Sequence, residues 1–416
     1  MSDQAPTTVI GLNPFEPGFY ADPYAQYAAI RDADPISKSA LGPWLITRWA
    51  DVHTLLRKPG TSVEERNIDM DGGLSRRQQM NERRAEQGAP PIERSLAILN
   101  IDPPDHTRIR KLVAKAFTPR AVERIRASAG QQVDVILDDL AERGEPVDLI
   151  SELAFPLPFA VINEMLGMPE GGDTLQLRAW SHTITQILDP LLAMQHPDEI
   201  IAASVNMRGV IAEAIAWKRT RDDDDILAAM IHAEEDGEQL TDAELLENVM
   251  LLFLAGHETT VNLIGNGVNA LLDHPDQLRR LVDDPSLDAN AVEELLRFDS
   301  PVQFSRRIAL EPIEIEGVAI APGELVMTCL GAANRDPAKF GPDAAELRLD
   351  RPDAREHVSF GSGVHHCLGA ALARLEGQEA IGRLVRRFPD IERAGDPKHN
   401  ERIVLRGYDD LPVSLR

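Results

Sequence analysis

The chain is poor in cysteine and in positive charge. Its 416 residues include two cysteines, Cys329 and Cys367. So few thiols exclude a disulfide scaffold and suit a reducing compartment. Lys and Arg total 43 against 68 Asp and Glu, a formal net charge of −25. That balance argues against nucleic acid and anionic membrane surfaces as general partners. Gly/Ser and Pro-rich linkers, repeats and low-complexity blocks are missing. One domain over residues 1–416 is therefore expected, although length alone would allow two or three. No stretch reads as long enough to span a membrane. The first residues, Met1–Pro6, lack a charged leader start and an apolar run. A soluble, cytoplasmic protein without a membrane anchor is expected. What is present is apolar mass: 43% of residues, enough for a core that encloses a large ligand.

The informative stretch is Phe360-Gly361-Ser362-Gly363-Val364-His365-His366-Cys367-Leu368-Gly369. An Ala- and Leu-rich helical pattern follows, Ala370 to about Arg387. The cysteine thus stands at the mouth of a helix, where backbone N–H groups and the helix dipole favour a thiolate. Gly361 and Gly363 permit a tight loop. Gly369 leaves no side chain where a large flat ring would lie. A lone thiolate in such a loop suits an axial ligand to haem iron. Two other readings stand beside it. One is a buried structural cysteine. The other is zinc, which His365 and His366 invite but which would need four ligands at metal spacing.

Three more stretches carry chemistry. Near the start of a helix at Asp105, His106 and Arg110 are four apart and share a face, a pairing suited to a carboxylate ligand. Thr241–Glu244 is a capping box, and the pattern then runs unbroken to Asp273, a helix of roughly 48 Å. Its middle reads Phe253-Leu254-Ala255-Gly256-His257-Glu258-Thr259-Thr260. An acid beside an alcohol in an apolar helix suits proton delivery. A helix kink with a satisfied buried threonine is the other reading. Glu294 and Arg297 are three apart on one face. In Gln303–Ile308, strand alternation sends Arg306 and Arg307 to opposite faces.

Lesser elements frame these. Helices are expected at Tyr24–Arg31, Ala50–Leu56 and Ser75–Gln87, and strands at Ile36–Ser39, Trp44–Thr47 and Leu411–Leu415. Pro156 and Pro158 kink or divide the apolar run Leu149–Leu166. Leu188–Pro197 reads as an apolar loop between two helices. Lys58–Arg94 reads mostly as a solvated excursion. Gly317–Val326 reads as a hairpin turning at Ala321–Pro322–Gly323, and Cys329 as a buried strand cysteine.

Phe-x-x-Gly-x-x-x-Cys-x-Gly, Ala-Gly-x-Glu-Thr-Thr, Glu-x-x-Arg and Asp-Pro-Pro-x-His-Thr-x-x-Arg occur here in family order, and the chain resembles the cytochrome P450 monooxygenases. The resemblance implies a mainly α fold with small β-sheets, a triangular helical domain enclosing haem b (iron protoporphyrin IX). It implies Cys367 as the axial iron ligand, with His106, Arg110, Arg307 and His365 on the haem propionates and Arg306 solvated. Ala255 and Gly256 would leave space over the iron. Glu258 would be the acid, Thr259 the catalytic alcohol, and His257 would point away. Glu294 and Arg297 would lock a helix to the segment before the cysteine. The third basic partner usual in the family is missing at Ala345–Glu346–Leu347, with Arg348 as its substitute. The loop Leu188–Pro197 would lid the pocket. The expected reaction inserts one oxygen atom of O2, the co-substrate, into an apolar small molecule. Electrons would come from a ferredoxin and ferredoxin reductase, docking on Arg108, Lys111, Lys115, Arg120 and Arg374. The alternative is a non-catalytic haem-binding or docking protein that keeps the fold.

Overall fold

The computed structural model describes residues 11–416 except positions 40–41, 70–75, 93, 145, 170, 172 and 236. The leader reading and Gly72–Gly73 lie outside the described residues. The fold is mainly α with small sheets, and one long helix, Asp242–Asp273, organises it. Its start is fixed by the expected capping box. The Thr241 hydroxyl accepts from the Glu244 N–H at 3.2 Å, and the Glu244 carboxylate accepts from the Thr241 N–H at 2.9 Å. Val249, Phe253, Leu263, Ile264, Val268 and Leu271 are all buried, so the helix is packed on nearly every side. Pro156–Leu166, Pro197–Lys218, Asp288–Phe298 and Ala370–Arg387 supply those contacts. The last of these, the cysteine helix, also packs on Pro119–Arg143.

Gly256 serves this packing. A Cβ there would lie 2.8 Å from Ile162 Cδ1, so the glycine lets Pro156–Leu166 approach and does not open the space the resemblance assigned to it. The prolines divide the apolar run as expected. A π-turn at Ile150–Ala154 ends at Phe155, and Pro156 opens the next helix, where its missing N–H leaves no bond unmade.

The largest sheet has five strands in the order Ile36–Lys38, Trp44–Ile46, Leu325–Cys329, Phe304–Ala309, Thr61–Ser62. Cys329 lies opposite Phe304 and is buried, as expected. The hairpin expectation is corrected. Ile313–Ile315 pairs with Val318–Ile320 around Glu316–Gly317, both at positive φ, while Leu325–Cys329 leaves that hairpin to join the large sheet. The loop Leu188–Pro197 holds a short helix, Pro190–Gln195, capped by Asp189, with Met194 80% exposed. Lys58–Arg94 is not merely solvated: Arg94 bridges Glu64 and Asp105, and buried Arg84 donates to Pro90 O. Contrary to the sequence expectation, Pro197–Lys218 has the length and mean hydropathy (1.3) of a membrane span. Its inward residues, among them Ile201, Met207 and Ile211, are buried against the domain.

Candidate active site

The loop before the cysteine helix is held by its own backbone. The Cys367 N–H donates to Phe360 O at 2.9 Å. Gly363 has φ 72°, and a Cβ there would lie 2.7 Å from Leu56 O, so only glycine lets the loop press on the helix Trp49–Arg57. A Cβ at Gly369 would meet nothing within 4 Å, which leaves room beside the sulfur. Cys367 is accessible, yet protein crowds around it. Burial raises its thiol pKa, and the Gly369 N–H, Arg110 and Arg374 pull the other way without cancelling that rise. The helix mouth alone therefore does not yield the thiolate expected from the sequence. A coordinated metal cation would complete it.

Beside the cysteine lies a basic cluster on which one acid, Asp102, acts through space, at His106 and Arg307. The ring of His106 is buried, 4.3 Å from that of His365, and neither of its nitrogens has a partner. Burial, with the Arg110 charge, lowers His106 to about 4. Burial, with His106, Arg307 and Arg110, lowers His365 to about 3. Arg307 is buried and brought down to about 10. Its guanidinium reaches only Ser305 Oγ at 3.2 Å and Arg306 O at 2.7 Å. Arg110 donates to His366 O at 2.6 Å, and burial lowers it too. Among the described residues none of the four is ion-paired to an acid. A desolvated cluster of this kind lacks an anion. The two propionates of haem fit it, and the orphaned His106 nitrogens are the plainest sign of the fit. Arg306 is only partly solvated: its side chain is one-third exposed and pairs with Glu65 at 3.0 Å.

On the long helix, Ala255 is exposed although Phe253 and His257 are fully buried, so the helix opens to space at that residue. The Thr259 hydroxyl donates to Ala255 O at 3.1 Å, which leaves its oxygen free to accept. His257 points away as expected, held by Phe253 O at 2.7 Å and Ser181 Oγ at 2.9 Å. Glu258 borders a polar cavity of about 70 Å³, lined also by Arg178, His182, Asn262, Asn400 and Asp409. That is room for a few waters. Its carboxylate accepts from Arg402 at 3.2 Å, with His182 at 3.7 Å. Arg402 was not found from the sequence, because nothing within its own segment marks it.

The Glu294–Arg297 pair is fully buried. Arg297 donates to both carboxylate oxygens, at 2.7 and 2.8 Å, and to Asn334 O, Ala344 O and Glu346 O. Its third partner is Arg351, 3.1 Å from Glu294, and not Arg348. Arg348 offers only its backbone N–H, and its side chain pairs with Asp343. The expected docking patch is also reduced. Arg108 pairs with Glu238 and Glu244, Lys115 with Glu235, and Arg374 with Glu293. Lys111 and Arg120 are exposed.

This fold is one that serves haem-dependent oxygenases. The chain belongs to the cytochrome P450 family, whose model, Cytochrome P450, matches residues 76–284 and 285–405. Cytochrome P450 107B1 of Saccharopolyspora erythraea is 44% identical over 412 residues, covering 96% of each chain. Vitamin D(3) 25-hydroxylase of Pseudonocardia autotrophica is 42% identical over 409 residues, again 96% of each. The solved structure of the polyketide synthase cytochrome P450 PksS of Bacillus subtilis 168 has a TM-score of 0.85 at 35% identity, covering 97% of this chain and 99% of that one. The protein is a monooxygenase of this family, which uses haem and O2.

Proposed function

We propose that Cys367 is the axial ligand to the iron of haem b, and that residues 1–416 form one cytoplasmic domain that hydroxylates an apolar small molecule. The observation that carries the site is the buried basic cluster, ion-paired to no acid among the described residues and with both His106 nitrogens unpartnered, beside an accessible thiol. A relative named for hydroxylating vitamin D(3) supports the substrate class. Haem, when bound, supplies the one-electron chemistry and the activation of dioxygen. In balance, substrate, O2, two electrons and two protons give hydroxylated product and water. His106, Arg110, Arg307 and His365 hold the propionates. Gly369 would leave room for the ring, and small Ala255 would leave space at the long helix. Glu258 takes protons from its cavity, and the Thr259 hydroxyl directs them. A silent haem protein is the weaker reading, since the relatives are named for activity.

Haem retention tests the cluster. Arg110→Ala and Arg307→Ala should each weaken haem binding by roughly 1.5–3 kcal/mol, the worth of a charge-assisted contact. Transfer of haem to an acceptor protein measures it. Unchanged retention in both variants would remove them from the site.

Product formed per electron consumed tests the chemistry. Thr259→Ala should keep haem and electron uptake, release more peroxide and form less product. Glu258→Gln should instead slow turnover, because proton supply is impaired. Wild-type coupling in Thr259→Ala would make the pair structural. A screen of apolar ligands, followed by the haem spin-state shift, supplies the substrate.

The electron donor is proposed to be a ferredoxin with its reductase, meeting the exposed Lys111 and Arg120. Reduction should slow as salt rises, and Lys111→Glu should be slower than wild type at low salt with a weaker salt dependence. A rate indifferent to both would place docking on another face.

A further inference from the structure

Phe360 is the residue on which the cysteine loop closes, since its carbonyl accepts from the Cys367 N–H. Arg374, one helical turn into the cysteine helix, sets its guanidinium carbon 4.6 Å from the centroid of the Phe360 ring. Glu293 holds it there by two bonds, from Arg374 Nε at 2.8 Å and from a terminal nitrogen at 3.1 Å. Glu293 is buried and gathers two further groups. Arg355 donates at 3.0 Å, and His357 lies at 3.1 Å with its ring 5.5 Å from that of Phe360. Burial would raise the Glu293 carboxyl, but the bonds from His357 and Arg374 outweigh it and bring it to about 2. It is therefore charged at neutral pH. Burial also lowers His357, so the histidine is neutral there.

Two cations act on Cys367 through space, Arg110 and Arg374. Arg110 belongs to the cluster assigned to the propionates, whose negative charges would offset it. Arg374 lies outside that cluster, and its counter-ion is Glu293. The knot thus sums to one positive charge: Arg374 and Arg355 against Glu293. Arg355 is 76% exposed, so solvent screens most of its share. Arg374 is three-quarters buried behind the ring, so its charge is screened far less.

We propose that Arg374 and Glu293 are positioning residues that set the reduction potential of the haem iron, Arg374 raising it through the Phe360–Cys367 loop and Glu293 limiting that rise. Reduction adds one electron, Fe(III) becomes Fe(II), and the centre gains one negative charge. A fixed cation near the sulfur stabilises the reduced state, and its counter-ion offsets this. The inference rests on Cys367 as the axial ligand.

The test is the midpoint potential of haem-loaded, substrate-free protein, titrated with dithionite at one ionic strength without any donor protein. Arg374→Gln should fall below wild type, and Glu293→Gln should rise above it. Arg374→Lys keeps the charge and should stay near wild type, while Arg355→Gln should move least. A purely structural role would shift both partners the same way or neither, and either outcome overturns the proposal. So does loss of the thiolate Soret band under carbon monoxide in the Arg374 and Glu293 variants alike, which would make the knot scaffolding. Absence of that band from wild type would instead sink the ligand assignment itself, so the two failures are distinguishable.

Discussion

Reduced Cys367→Ala protein under carbon monoxide is expected to lack the red-shifted Soret band of thiolate-bound haem, whereas wild type and Cys329→Ala should both show it. The effect is all or none, because the band reports a thiolate ligand and the chain holds only two thiols. Cys329 is excluded by its surroundings. It ends a central strand, packs in the cluster with Tyr27 and Phe304, and is fully buried. Burial raises its thiol to about 12, which keeps it protonated and inert. Cys367 is accessible, and Gly369 leaves space beside it. The basic cluster is intact in Cys367→Ala, so some haem should still bind through its propionates. Band position, and not haem content, is therefore the deciding measurement. A band kept by Cys367→Ala and lost by Cys329→Ala would reverse the assignment.

Arg297→Ala is expected to destabilise the protein by about 3–5 kcal/mol, the range for removing one partner of a buried pair. Glu294 would lose both of its bonds from Arg297, and three carbonyls, of Asn334, Ala344 and Glu346, would lose a donor. Burial forbids water from replacing them. Arg351→Ala should fall in the same direction, since Arg351 is buried and binds Glu294, Asp343 and the Phe340 and Asp343 carbonyls. Arg348→Ala should cost far less than either, because its side chain is 43% exposed and its bridges are surface pairs. Denaturant unfolding of the haem-loaded proteins measures all three. An equal loss in Arg348→Ala and Arg351→Ala would contradict the arrangement.

Much of the site was legible because its parts lie within a turn of one another. The cysteine loop, the capping box at Thr241, and His106 with Arg110 each occupy one short stretch, and local backbone geometry fixes them. The cysteine helix runs over the residues the pattern predicted, Ala370–Arg387. Errors arose where a residue's neighbour comes from elsewhere. Gly256 read as space over a ligand, but its missing Cβ accommodates Ile162. The turn at Ala321–Pro322–Gly323 looked sufficient for a hairpin, yet the strand after it found better partners in Phe304–Ala309 and Trp44–Ile46.

The amino-acid order by itself determined the family, and it singled out the cysteine proposed to bind iron and the acid–alcohol pair at the centre of the long helix. These follow from residue type and spacing within a few positions, which helix and loop geometry convert directly into shared faces. Only the tertiary structure decided the charge pairing: Arg402 on Glu258, Arg351 in place of Arg348 on Glu294, and Glu293 on Arg374. The partners of the first pair are 144 residues apart. A hydrogen-bonded ion pair forms only at a separation of about 3 Å. No local pattern specifies which of the 43 cations a given carboxylate will meet, because packing of the helices makes that choice.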